Sequence, residues 1–108
     1  MIAQVGQTLW TLLHATANAY PDEPSERDKE SARYWLDVFS ALVKENSRGC
    51  KRCLTEWEKM LQIMPIPLDS RADFYLWTIA AHDRVNRKLG KPILHPEFTL
   101  QHPLLMAS

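Results

Sequence analysis

Glycine is scarce. The three glycines, Gly6, Gly49 and Gly90, stand too far apart to form a G-x-G-x-x-G turn or a P-loop, which removes the commonest nucleotide-binding architectures. No apolar run approaches the roughly 20 residues a membrane-spanning helix needs. The opening residues MIAQVGQTLW carry no basic n-region, so a cleaved secretory signal is not expected. Neither sign of charge is in excess: 13 basic residues cancel 13 acidic ones. No global field therefore draws the chain to nucleic acid or to an anionic membrane, and neither is an expected partner. Only two cysteines are present, too few for the multiply bridged scaffold of a secreted mini-protein.

What remains is a helical chain. Its 108 residues predict a single domain spanning 1–108, with room for one core. Punctuation divides it into four helix-length segments. The first covers residues 4–20, with Val5, Leu9, Leu12, Leu13, Thr16 and Tyr20 at helical spacing, and is closed by Pro21 and Pro24. Ser25 and Asp28 form a capping pair for the second, whose stripe is Ala32, Trp35, Leu36, Phe39, Leu42 and Val43. A polar connector follows at residues 46–49. The third begins near Cys50 and stops before Pro65, with Cys50, Cys53, Leu54, Trp57, Met60, Leu61 and Met64 on one face. That face directs both sulfurs toward the core.

Asp69 and Ser70 are good N-caps for the fourth helix, which carries Phe74, Trp77, Ala81, Val85 and Leu89. Gly90 and Pro92 stop it. Residues 93–108 read as irregular, with a short helical turn. The expected fold is all-α: a four-helix bundle with an irregular or short-helical C-terminal segment. Each of its four tryptophans needs something large to pack against.

The cysteines are spaced C-x-x-C at a helix start, with Lys51 and Arg52 between them. The partial positive charge of the helix N-terminus and the two cations favour the thiolate, the form that attacks disulfides. A reversible dithiol/disulfide follows, against the plainer readings of a static bridge or a buried apolar pair. Zinc would need His82 and His95 as further ligands, at a spacing far from H-x3–5-H, so no metal is expected. A thioredoxin-like site fails because the chain lacks a βαβ pattern.

Electrons from a dithiol need a destination. Trp10 and His14 share a face of the first helix, and His82 and Asn86 share one of the fourth. Arg84, Arg87, Lys88 and Lys91 outnumber Asp83 at the end of the fourth helix. Each feature alone has a structural reading. Together they fit a planar ligand with anionic phosphates, such as a flavin dinucleotide.

At this point the residues match a family. Gly6, Trp10, Leu13 and His14 fit G-x-x-x-W-x-x-L-H, and Ala17 to Pro24 fit A-x-x-Y-P-D-x-P. Cys50, Cys53 and Trp57 fit C-x-x-C-x-x-x-F with tryptophan in the aromatic place. His82, Val85, Asn86, Leu89, Lys91 and Pro92 fit H-N-x-V-N-x-x-L-x-K-P. The chain resembles the flavin-linked sulfhydryl oxidases of the Erv/ALR type over residues 5–92, three motifs in order with the A-x-x-Y-P-D-x-P stretch following the first.

The resemblance implies an FAD-dependent thiol oxidase that forms disulfides and passes electrons to oxygen, releasing hydrogen peroxide. It implies FAD bound by Gly6, Trp10, His14, His82, Val85, Asn86, Lys88 and Lys91. Cys53 is then the flavin-proximal thiol, and Cys50 the interchange thiol that meets a dithiol protein or small-molecule thiol substrate. A homodimer through the first helices is a further implied partner.

The departures carry expectations of their own. Asp83 replaces the usual asparagine, with a consequence for flavin binding that depends on where it points. Ser47, Arg48 and Gly49 replace the usual aromatic and proline before the C-x-x-C, in a connector about five residues longer than usual. The family's disulfide from the last helix to the following segment corresponds to Ile79 and Pro96, so the tail must be held by packing. Two other readings stand beside the oxidase: a catalytically silent FAD-binding or scaffold module of the same fold, and a flavin-free thiol–disulfide relay.

Overall fold

The computed structural model describes residues 3–47 and 50–107. The helices are α1 Ala3–Asn18, α2 Glu26–Asn46, α3 Lys51–Ile63, α4 Arg71–Lys88, α5 Pro96–Thr99 and α6 Pro103–Met106. The side chain of Val5 and the connector residues Arg48 and Gly49 lie outside what the structure describes. Among the described residues there is no strand, and the all-α reading holds.

The helix ends form where local chemistry supplies partners. Ser25 Oγ accepts from the Asp28 N–H at 3.0 Å while Asp28 Oδ2 accepts from the Ser25 N–H at 2.9 Å, a complete capping box at the start of α2. Ser70 Oγ accepts from the Asp73 N–H at 3.1 Å to start α4. Each cap stabilises its helix by about 1 kcal/mol, because first-turn N–H groups otherwise have no intrahelical acceptor. α4 ends in a Schellman turn: Gly90 N–H donates to Arg87 C=O and Lys91 N–H to Asn86 C=O. Gly90 takes φ +74°, which a side chain would resist. That turn delivers Lys91 back alongside α4.

α4 is the centre of the fold. It packs against α1 on one side and against α5 and α6 on another. Phe74, Trp77, Ala80 and Ala81 are fully buried with Leu13, Ala17, Phe39, Trp57 and Met60. The tryptophans do find large partners: Trp57 meets Trp77 edge-on at 5.8 Å, and Trp35 stacks on Phe39. Trp77 Nε1 donates to Met64 C=O at 2.8 Å, so the largest core side chain leaves no buried donor unpaired. Tyr20 secures the linkers similarly, its hydroxyl donating to Leu68 C=O while its own carbonyl accepts from Arg71.

Three stripe assignments need correction. Leu12, Leu42 and Leu89 are exposed. Helical periodicity identifies an apolar face but not where the neighbouring helix stops covering it. α4 is not one-sided either: Thr78, Asp83, Arg84 and Asn86 are buried. An element packed on several sides must bury polar side chains, and these stay because each is hydrogen-bonded or faces the cavity described below.

The tail differs from expectation in the same way. It forms two short helices, each opening on a proline, where a missing N–H costs nothing. Packing holds it in part, through buried Leu104 and Leu105. Hydrogen bonds do the rest. Arg84 donates to Leu104 C=O and to Ala107 C=O, and Arg87 donates to Leu105 C=O. Asp83 accepts from the Leu94 and His95 N–H groups at 2.9 Å each.

Candidate functional site

A cavity of about 660 Å³ opens between α1, α2, α3 and α4, within the roughly 300–1,000 Å³ range of small-molecule sites. α1 contributes Gly6, Gln7, Leu9 and Trp10; α3 contributes Arg52, Cys53, Glu56, Trp57 and Met60. Phe39 and Val43 close it from α2. The fourth wall is the end of α4 and its turn, with His82, Val85, Asn86, Lys88 and Lys91. Cys53, Glu56, Trp57 and Met60 follow one helical face, so the period that builds the core also builds this wall.

Cys50 and Cys53 form a disulfide that lines the cavity, with Cα atoms 5.4 Å apart. The helix start makes this span available: Cys50 is the N-cap of α3, and its Sγ accepts from the Cys53 N–H at 3.2 Å. Contrary to the core-facing expectation, Cys53 is exposed and Cys50 half-buried. When the pair is reduced, the N-terminus of α3 stabilises whichever sulfur carries the negative charge.

Aromatic rings line the α1–α4 side. Trp10 lies flat on His82, ring centroids 4.4 Å apart and planes 6° from parallel. His14 does not reach the cavity wall. It stands beside His82, with His14 Nε2 3.1 Å from His82 Nδ1, and its own Nδ1 is 3.0 Å from Thr78 Oγ1. Burial lowers the His14 pKa to about 4, with His82 as the next cause. Burial likewise lowers His82. Both imidazoles are therefore neutral at pH 7.

Asp83 turns away from this site. Its fully buried carboxylate is absent from the cavity wall and is taken up by the tail, where it accepts from the Leu94 and His95 N–H groups and the Thr99 hydroxyl. The positive charge that faces the cavity comes instead from Arg52, Lys88 and Lys91. Apolar walls, stacked rings and three cations match a ligand with a flat ring system and anionic groups.

Of the residues expected at the site, Gly6, Trp10, Cys50, Cys53, His82, Val85, Asn86, Lys88 and Lys91 line one cavity, and His14 supports it from behind. In the sequence, Leu9, Phe39, Val43 and Met60 read only as core positions. Their apolar character gave no sign of which side of the helix pair was open. Arg52, noted for its effect on the thiolates, is also a cavity cation.

A model of the Erv1/Alr family matches residues 7–102. The chain is 37% identical over 90 residues to the FAD-linked sulfhydryl oxidase ERV1 of Oryza sativa, and 33% over 91 residues to the mitochondrial FAD-linked sulfhydryl oxidase ERV1 of Saccharomyces cerevisiae. These matches take in 83% and 84% of the chain but 44% and 46% of those relatives, so it spans less than half their length. Against an African swine fever virus FAD-linked sulfhydryl oxidase it is 33% identical, over 82% of the chain and 71% of that protein. The crystal structure of the yeast Erv1 core superposes with a TM-score of 0.75 at 31% identity, covering 94% of this chain and 81% of that one. The FAD-binding domain of yeast Erv1 gives the same TM-score over 93% and 90% of the two chains. A family model over residues 7–102 and superpositions over more than nine-tenths of the chain agree, and the chain belongs to the Erv1/Alr family.

Proposed function

We propose that the chain is a single sulfhydryl-oxidase domain that holds FAD in the cavity and oxidises dithiol substrates through Cys50 and Cys53. The observation that carries the reading is that the C-x-x-C disulfide and the His82-to-Lys91 wall border one cavity. The residues there fit the cofactor. Lys88, Lys91 and Arg52 answer the diphosphate, Trp10, Val85 and His82 offer faces to flat rings, and Gly6 leaves room for close approach. Gly6 and Asn86 complete the binding set, with His14 behind it.

The disulfide chemistry needs only this chain. A substrate thiolate attacks Cys50 Sγ, the Cys50–Cys53 bond breaks, and Cys53 leaves as a thiolate. The second substrate thiol loses its proton and attacks the substrate sulfur of the mixed disulfide. Cys50 is then expelled and the substrate disulfide forms. Two electrons now reside on the cysteine pair. Cys50 suits the interchange role because it caps the helix at the end of the connector. Cys53 suits the cavity side because α3 holds it in line with Trp57 and Met60. When bound, FAD supplies a two-electron acceptor next to that pair. Oxygen as final oxidant and hydrogen peroxide as product complete the proposal.

Exposed Leu12 on α1, with Val38 and Leu42 on α2, supports a homodimer through the first helices, which light scattering tests directly. No helix among the described residues is long and apolar enough to cross a membrane. Oxygen uptake with dithiothreitol tests the activity. The wild-type chain consumes oxygen, whereas Cys50→Ser and Cys53→Ser do not; uptake that survives Cys53→Ser contradicts the assignment.

A further inference from the structure

The hydrogen bonds behind the cavity have a direction. Thr78 Oγ1 lies 2.7 Å from Tyr75 C=O, and a carbonyl only accepts, so the hydroxyl's single proton points there. Thr78 Oγ1 must then accept from His14, which puts the His14 proton on Nδ1. His14 Nε2 is left as a lone pair, so its partner at 3.1 Å, His82 Nδ1, carries the proton of that bond. Only one atom remains to assign. His82 Nε2, the other nitrogen of a ring that lines the cavity, is an unprotonated acceptor.

We propose that Thr78 is a positioning residue that sets both tautomers, so that His82 offers the cavity an acceptor and selects a neutral hydrogen-bond donor of the ligand. This rests on the FAD reading, in which the donors available are ribose or ribityl hydroxyls and ring N–H or amino groups. A phosphate oxygen is the wrong partner for a lone pair, which leaves the diphosphate to Lys88, Lys91 and Arg52. The neutrality of both rings, enforced by burial, is what keeps this single-proton arrangement intact. Nothing in the sequence pattern marks Thr78. It is a fully buried residue on α4, outside every motif.

The logic inverts when the hydroxyl is removed. In Thr78→Val, His14 Nδ1 has no acceptor, and the favourable arrangement moves the His14 proton to Nε2. His14 then donates to His82 Nδ1, which drives the His82 proton to Nε2 and turns the cavity-facing acceptor into a donor. Thr78→Ser keeps the hydroxyl and the original order.

Nitrogen-15 spectra of the imidazoles in the full chain, as purified, read the tautomers directly, with FAD affinity measured in parallel by titration. Wild type and Thr78→Ser are expected to hold the proton on Nδ1 of both His14 and His82. Thr78→Val is expected to move it to Nε2 and to weaken FAD binding about tenfold, the loss of roughly one hydrogen bond at a buried site. A His82 proton on Nε2 in the wild type, or an Nδ1 proton that survives Thr78→Val, overturns the assignment to Thr78. A tautomer change with unaltered FAD affinity overturns the selection by His82. Should the wild type take up no FAD, the cofactor reading and the selection by His82 both fail, while the imidazole spectra still decide the role of Thr78 in setting the tautomers.

Discussion

Thr99 Oγ1 lies 2.9 Å from Asp83 Oδ2, with both side chains fully buried. The charged carboxylate is the strongest acceptor in reach, and it also takes the Leu94 and His95 N–H groups. One residue of α4 therefore fixes the path of the chain from the end of that helix into α5.

Asp83→Asn replaces one carboxylate oxygen by an N–H2 that must confront a donor, either the Leu94 N–H or the His95 N–H together with the Thr99 hydroxyl. The expected cost is about 1–3 kcal/mol of stability, seen as a lower urea midpoint. FAD affinity is expected to change little because the carboxylate points away from the cavity. An unchanged midpoint with weakened FAD binding contradicts the tail-clamp role.

Arg84 is the second tie. It is fully buried, pairs with Glu56 on α3 and donates to two tail carbonyls. Arg84→Met leaves the Glu56 carboxylate without this partner and frees both carbonyls. The predicted loss is about 2–4 kcal/mol, from two tail carbonyls left without a donor and a half-buried Glu56 carboxylate left without its partner. Hydrogen exchange should show α6 released first; uniform loss of protection across the helices counts against this.

The pH dependence follows from His14. An unfolded histidine titrates near 6.5, and burial lowers the folded His14 pKa to about 4. Between those values the unfolded chain binds a proton that the folded one refuses, so stability rises with pH there. The contribution is complete above pH 6.5 and is lost as pH falls toward 4. His14 is partly exposed, so after solvent screening the effect is on the order of 1–2 kcal/mol. Urea unfolding at stepped pH should show this slope, flattened in His14→Gln. Equal slopes in the two proteins contradict it.

Much of this was legible in the sequence because short-range chemistry decides it. Ser25 with Asp28, Ser70 with Asp73 and Gly90 with Pro92 mark helix ends by partners within a few residues. The cavity residues on α1, α3 and α4 fall on helical faces that spacing alone defines. Partners remote in sequence are another matter. Asp83 reads as a departure from a cofactor motif until the tail is in place, and Arg84 reads as one more cation for an anionic ligand until Glu56 and the tail carbonyls surround it. Ile79 and Pro96 stand where the resemblance implies a covalent tie, and nothing in the sequence says that a carboxylate and a guanidinium hold the tail. Thr78 gives no signal at all, since a buried hydroxyl declares its role only through what it touches.

The most direct test is a visible absorption spectrum of the purified chain, recorded anaerobically before and after dithiothreitol. The expected result is a yellow protein whose flavin band bleaches on reduction and returns on admitting air. In Cys53→Ser the band should persist and resist bleaching. A folded protein that is colourless and binds no added FAD contradicts the central claim.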